Sequence, residues 1–227
     1  MGALKLVLFD IDGTLIDTGG AGARAWGWAF EHVCGRTADI GAHSGAGMTD
    51  PVVARKTFEA EFGREPTGAE LTSVMGAYLS VLPDFVNSSE SYRVLDGVEQ
   101  LLPALLEAGV LLGITTGALE AGAHAKLGRA RLNHFFLVGG YGSDSEDRVR
   151  LTRTAVQRGE RLLGGELEDH EVAVVGDTPL DVAAAQGAGL ISVAVASGHF
   201  DADQLRAANP DHLLGSLSEA FPGMEEA

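Results

Sequence analysis

Two carboxylates one residue apart close a short apolar run, Leu4-Lys5-Leu6-Val7-Leu8-Phe9-Asp10-Ile11-Asp12-Gly13-Thr14-Leu15. In an extended chain residues i and i+2 lie on one side, about 6–7 Å apart. Asp10 and Asp12 can therefore face one small site from the end of a strand. A carboxylate pair so placed is equipped for catalysis or for holding a cation. Two plainer arrangements compete with it. One is a solvated turn, since Asp and Gly are common turn residues. The other is a calcium loop, but that needs Asp-x-Asp-x-Asp-Gly between helices. Here Gly13 follows Asp12 directly, behind a strand-like run.

Two further apolar runs stop at groups of the same kind. Val110-Leu111-Leu112-Gly113-Ile114-Thr115 leads into Thr116-Gly117, and Val172-Ala173-Val174-Val175 leads into Gly176-Asp177. Runs of this length and composition suit strands buried on both faces of a parallel sheet. Ligands of such sheets bind beyond the carboxyl ends of the strands. Asp10, Thr116 and Asp177 should therefore reach one edge.

The elements that must position them alternate from about residue 94 onward. Helices are expected over 97–108, 119–130 and 149–163, and from Asp181 to Ala188. Pro103 should kink or restart the first of these. Short strands are expected at 135–138 and 191–196, with residues 139–147 as a glycine-rich acidic loop. A short helix from Asp201 and a strand at 212–214 complete the chain. The alternation calls for an α/β fold, a doubly wound parallel sheet with helices on both faces.

Residues 18–90 have a different character. Trp26, Phe30 and Val33, then Ala54, Phe58 and Phe62, then Leu71, Val74, Tyr78 and Leu82 recur at helical spacing. Three or four amphipathic helices are expected, their stripes facing a core. The expected division is a core of residues 1–16 and 91–227 with a helical cap at 17–90 inserted into it. Between the first two cap helices lies Gly41-Ala42-His43-Ser44-Gly45-Ala46-Gly47-Met48-Thr49-Asp50-Pro51. It is either a flexible connection or a specificity loop reaching over the site. Asp50 reads as an N-cap with Pro51 at N1. Gly20-Ala21-Gly22-Ala23-Arg24-Ala25 is not a dinucleotide fingerprint, because it lies well past the turn of the first strand.

With these motifs in place, a family resemblance emerges. Leu8-Phe9-Asp10-Ile11-Asp12-Gly13-Thr14-Leu15 resembles the first motif of the haloacid dehalogenase-like (HAD) hydrolases in their phosphatase form. The resemblance implies that Asp10 is a nucleophile that becomes an aspartyl-phosphate, and that Asp12 is the general acid and base. Ile114-Thr115-Thr116-Gly117 resembles the second motif, which implies that Thr116 and Gly117 bind phosphate; Thr115 is the alternative register. Ala118 departs from the Asn usual there. The third motif is a basic residue, usually Lys, at the start of a later helix. The lysines are Lys5, Lys56 and Lys126, so the role falls to Arg148, with Arg150 the weaker candidate. Surface pairing of Arg148 with Glu146 or Asp147 is the structural alternative. Gly176-Asp177-Thr178-Pro179-Leu180-Asp181 resembles the fourth motif, Gly-Asp-x-x-x-Asp. It implies that Asp177 binds a metal and that Asp181 supports the metal or its waters. Thr178-Pro179 reads as a plain N-cap followed by Pro at N1.

The implied cofactor is Mg²⁺, held by Asp10, Asp177 and the backbone carbonyl of Asp12. It would remove the repulsion between Asp10 and an anionic phosphate. Dehalogenases of the family lack the second Asp, so Asp12 favours phosphate chemistry. Phosphonate hydrolases use a cap lysine as a Schiff base, and Lys56 is the only cap lysine. A phosphomutase would share all four motifs. A non-catalytic phospho-accepting regulatory module would also gather carboxylates, but it needs neither the helical insertion nor Asp12.

Composition narrows the partners. The net charge of −16 argues against nucleic acid or an anionic membrane surface. A small phosphorylated metabolite would need local positive charge, which Mg²⁺ and Arg148 would provide. Cys34 is the only cysteine, which excludes an intrachain disulfide and a cysteine zinc site. Lys5 and Asp10 interrupt any N-terminal apolar segment, and no run approaches the roughly 20 apolar residues of a membrane span. A cytoplasmic protein is the expectation.

Overall fold

The computed structural model describes residues 4–224. Strand β1 (Leu6–Phe9) is followed by β2 (Ile16–Asp17) and four helices, α1 (Ala21–Cys34), α2 (Ile40–His43), α3 (Asp50–Phe62) and α4 (Gly68–Ser88). After β3 (Arg93–Val94) come α5 (Val98–Glu107), β4 (Leu111–Thr115), α6 (Glu120–Arg129), β5 (Val138–Gly140) and α7 (Arg148–Leu163). The chain then runs through β6 (Val172–Gly176), α8 (Pro179–Ala188), β7 (Ile191–Val195), α9 (Ala202–Ala207) and β8 (His212–Leu214).

Six strands form one parallel sheet in the order β5-β4-β1-β6-β7-β8. The chain winds outward from β1 on both sides, so the strand order reverses at β1, where α/β sheets place their ligands. Every residue of β1 is fully buried. Its alternation sorts the core into two layers: Val7 and Phe9 join the cluster of Leu101, Leu105 and Leu127, while Leu6 and Leu8 join Ala155 and Ala185. Full burial of a Leu, Val or Phe stabilises by about 1.5–3 kcal/mol. The short run therefore fixes the position of Asp10, the residue that follows it.

β2 and β3 pair antiparallel, Ile16 with Val94 and Asp17 with Arg93. This ribbon is where the chain leaves the sheet and returns. The helices between its strands bury their own apolar cluster, including Trp26, Phe30, Phe58, Tyr78 and Leu82. Leu119, the residue before α6, belongs to the same cluster. Among the described residues, no helix is long and apolar enough to cross a membrane.

Some local expectations shift. Val33 is exposed rather than part of the α1 stripe. α5 passes through Pro103 without a break. The strand expected at 135–138 begins only at Val138, after a 3₁₀ turn at Asn133–Phe135. Gly139 and Gly140, read as loop, are strand residues. A side chain on Gly140 would lie 1.9 Å from the Leu151 carbonyl oxygen, so the glycine there lets α7 pack close. Asp50 is not the N-cap of α3; Thr49 is, and Asp50 is the first helical residue.

Candidate active site

Asp10 follows β1, Thr116 follows β4 and Asp177 follows β6, so the three neighbouring strands bring them to one edge. Asp10 is buried, and its N–H donates to the Val175 carbonyl at 2.8 Å. Asp10, Asp177 and Asp181 each offer an oxygen within 4.8 Å of the others. The Thr14 hydroxyl donates to Asp177 Oδ1 at 3.1 Å.

Crowding and burial shape the charges. Burial first, and then the Asp181 carboxylate, push the Asp10 carboxyl above its ordinary range; Arg148 and the Thr116 hydroxyl oppose this. Burial and then the Asp10 carboxylate push Asp177 up to about 8. Within this cluster the one buried cation is Arg148. Its Nη2 pairs with Asp181, lies 3.9 Å from Asp10 Oδ1, and its Nη1 donates to the Gly47 carbonyl at 2.9 Å. Arg148 Nε is buried and has no partner among the described residues.

Asp181 also binds its neighbours. Its Oδ2 accepts from the Thr178 N–H at 3.0 Å and the Thr178 hydroxyl at 2.7 Å, the capping box of α8. Its Oδ1 takes Arg148. It thus anchors the guanidinium, while Asp10 and Asp177 have oxygens free for an ion. The Thr178-Pro179 helix start has the expected form.

The alternative residues stand in different surroundings. The Thr115 hydroxyl meets the Thr152 hydroxyl at 2.8 Å under α7, away from the edge, whereas Thr116 follows β4 at the edge, and its hydroxyl accepts from the Ala118 N–H at 3.3 Å. Arg150 is exposed and pairs with Asp147 at 3.7 Å. Neither Glu146 nor Asp147 holds Arg148: Glu146 pairs with Arg55 of α3, and Asp147 caps α7.

Asp12 stands apart from the carboxylate cluster. Its Oδ2 lies 2.5 Å from Lys126 Nζ, a buried amine in the last turn of α6. Burial works against the Lys126 charge, and Asp12 and Asp50 help to more than offset it. Sequence reasoning counted Lys126 only to exclude it from the third motif. A signal was present: Gly122, Ala123, Lys126 and Leu127 form one buried stripe of α6, with the lysine where an apolar residue is normal.

The loop between α2 and α3 lies against this edge. The Asp50 N–H donates to the Gly117 carbonyl at 2.8 Å. A side chain on Gly117 would lie 2.5 Å from the Met48 carbonyl oxygen, so the close approach requires glycine. A cavity of about 310 Å³ opens beside the site, lined by Asp12, Asp177, Ala46, Arg93 and His199 among others. A second cavity, of about 640 Å³, lies between Gly97 and Phe221 and contains none of the site residues.

The donor set suits a hard divalent cation. Three buried carboxylates share one guanidinium, and every free donor is an oxygen.

Comparison with known proteins shows the family. Residues 4–189 match the family model of haloacid dehalogenase-like hydrolases. A phosphoglycolate phosphatase of Chromobacterium violaceum is 30% identical over 227 residues, covering 98% of this chain and 97% of the relative. "Probable phosphatase IndB" of Dickeya dadantii is 29% identical over 216 residues, covering 94% of this chain and 90% of the relative. The crystal structure of CbbY from Rhodobacter sphaeroides in complex with phosphate shares the fold at a TM-score of 0.72 and 18% identity, covering 95% of this chain and 96% of that one. The chain belongs to the haloacid dehalogenase-like hydrolases.

Proposed function

We propose that the protein is a Mg²⁺-dependent phosphatase that hydrolyses a small phosphate monoester through an aspartyl-phosphate on Asp10. The observation that carries this reading is the shared edge of Asp10, Asp177 and Arg148, with Thr116 ending the neighbouring strand and the separate carboxylate of Asp12 close by. The phosphatase names of the relatives support it.

Each residue has a part. Arg148 and the Thr116 hydroxyl draw in the phosphate oxygens and orient phosphorus toward Asp10. An Asp10 oxygen attacks phosphorus and the ester P–O bond breaks. Asp12, carrying a proton, gives it to the departing oxygen. Water then attacks the aspartyl-phosphate, Asp12 takes the water's proton, and inorganic phosphate leaves with Asp10 restored. Before donating, Asp12 must exchange Lys126 for the ester oxygen. Mg²⁺ held by Asp10, Asp177 and the Asp12 carbonyl would neutralise charge between carboxylate and phosphate.

Residues 17–90 act as a cap in this reading. A cavity of about 310 Å³ under the cap loop favours a small ester.

The test is hydrolysis of p-nitrophenyl phosphate with Mg²⁺, with EDTA, and by Asp10→Asn. Turnover is expected only with both metal and Asp10, the substitution lowering kcat by about 10³-fold or more. Metal-independent turnover, or an active Asp10→Asn, would overturn the reading. Interconversion of sugar phosphate isomers without release of phosphate would point to a mutase instead.

A further inference from the structure

α6 lacks an N-terminal cap of its own. Its N-cap residue is Leu119, which offers no side-chain acceptor. A helix normally satisfies such end groups locally, often through a capping box. Here the first helical N–H, of Glu120, donates to the Ser143 hydroxyl at 3.2 Å, and the N–H of Leu119, just ahead of the helix, donates to Asp50 Oδ2 of α3 at 2.8 Å, across 69 positions of sequence. The N–H of Asp50 itself donates to the Gly117 carbonyl at 2.8 Å. Asp50 thus holds both ends of the turn Gly117–Leu119 that follows Thr116. The carboxylate is buried, and burial pushes it above its ordinary range while Lys126 and the Leu119 N–H oppose this. α6, whose N-cap residue Asp50 holds, carries in its last turn the Lys126 that grips Asp12.

Buried carboxylates are costly unless they are used, and this one is used on a turn beside the proposed phosphate site. We propose that Asp50 is a positioning residue: by clamping Gly117 and Leu119 from the inserted helices, it completes the phosphate-binding turn only when those helices are seated. The inference rests on the reading of Thr116 as a phosphate ligand. It makes the insertion part of the phosphate site and not merely a wall around the leaving group.

The clamp separates hydrogen bonding from charge. Asp50→Asn keeps an oxygen for the Leu119 N–H, whereas Asp50→Ala removes it. Wild type and both variants are compared on p-nitrophenyl phosphate with Mg²⁺ and inorganic phosphate as inhibitor, while amide exchange at Leu119 is followed by NMR. Asp50→Ala should lower kcat by about tenfold or more and weaken phosphate inhibition similarly, as loss of oriented donors does. Its Leu119 amide should exchange faster. Asp50→Asn should stay within about threefold of wild type in both, because the acceptor remains. A residue that only stabilises the fold would lower the melting temperature and leave kcat and phosphate inhibition of the folded protein unchanged. That result overturns the proposal, as does an Asp50→Asn that falls as far as Asp50→Ala. If Asp50→Ala does not fold, an unprotected Leu119 amide in wild type, or a crippled Asp50→Asn, still refutes the clamp. An inactive wild type with a protected Leu119 amide would instead overturn the phosphatase reading and, with it, the catalytic role of the clamp.

Discussion

At the sheet edge three buried carboxylates share one guanidinium, whereas along the seam with the inserted helices the charges have partners of their own. Asp12 has Lys126, Asp50 has the Leu119 N–H, and Glu146 has Arg55. Both regions bring distant parts of the chain together. The edge is left short of positive charge, which is the condition for capturing an ion and an anionic substrate. The seam is balanced, which is the condition for holding a shape. A deficit of charge marks where phosphate and ion are proposed to bind, and a balance marks what positions them; Asp12 links the two, a paired group that takes up its proposed chemistry only on leaving Lys126.

The sharpest way to break this contrast is Arg148→Ala. It removes the single cation of the edge and strands Asp181. kcat should fall by about 10²-fold or more, and breaking a buried pair should cost about 3–5 kcal/mol of stability. Steady-state kinetics and denaturant unfolding check both. Near-normal kinetics would place the phosphate elsewhere.

A second test uses pH. Asp10 and Asp177 are both raised in the folded protein, Asp177 to about 8. A raised carboxyl binds its proton more tightly folded than unfolded. The resulting stabilisation is complete below the unfolded value and is lost as pH rises through about 8 for Asp177. Without divalent ions, stability should therefore decline from about pH 4 to about pH 8 and level off above that, by at most about 1.4 kcal/mol per pH unit for each proton. Millimolar Mg²⁺ should flatten the decline. Melting curves in EDTA and in Mg²⁺ decide it; identical slopes would mean the edge holds no ion.

The smallest effect belongs to the seam. Arg55 and Glu146 are both more than a third exposed, so Arg55→Ala should cost about 0.2–1 kcal/mol, less in high salt. kcat should stay within about twofold. A larger loss would show that an exposed pair governs how the helices sit, and the contrast drawn above would fail.

The two regions also differ in how far they could be read from the sequence. The edge was written in local terms: apolar runs that stop at Asp10, Thr116 and Asp177 announce both the sheet and the place where its strands end. The register of Thr115 and Thr116 and the choice between Arg148 and Arg150 are both open in the sequence, and only packing under α7 and the exposure of Arg150 set the alternatives apart. The seam is written in pairs separated by tens of residues. Asp50 before Pro51 looks like a helix cap because the spacing is right for one. What it touches, the Leu119 N–H, depends on how α3 meets α6. Lys126 looks like an ordinary basic residue in a final turn until Asp12 is seen across from it. Gly139 and Gly140 hid β5 because a strand position chosen for close approach of a helix carries no strand-forming side chain.

The central place of β1 in the sheet has a consequence for how the protein is made. β1 pairs with β4 from Leu6↔Leu111 and with β6 from Leu6↔Val172. A ribosome therefore delivers its most apolar strand well before either neighbour exists. The inserted helices arrive in the interval with an apolar cluster of their own, so they can collapse locally while β1 waits. Asp10 meets Asp177 only when β6 has been added. Nascent chains should thus acquire helical structure early and the ion-binding edge among the last features to form, and β1 is the segment that needs shelter in between.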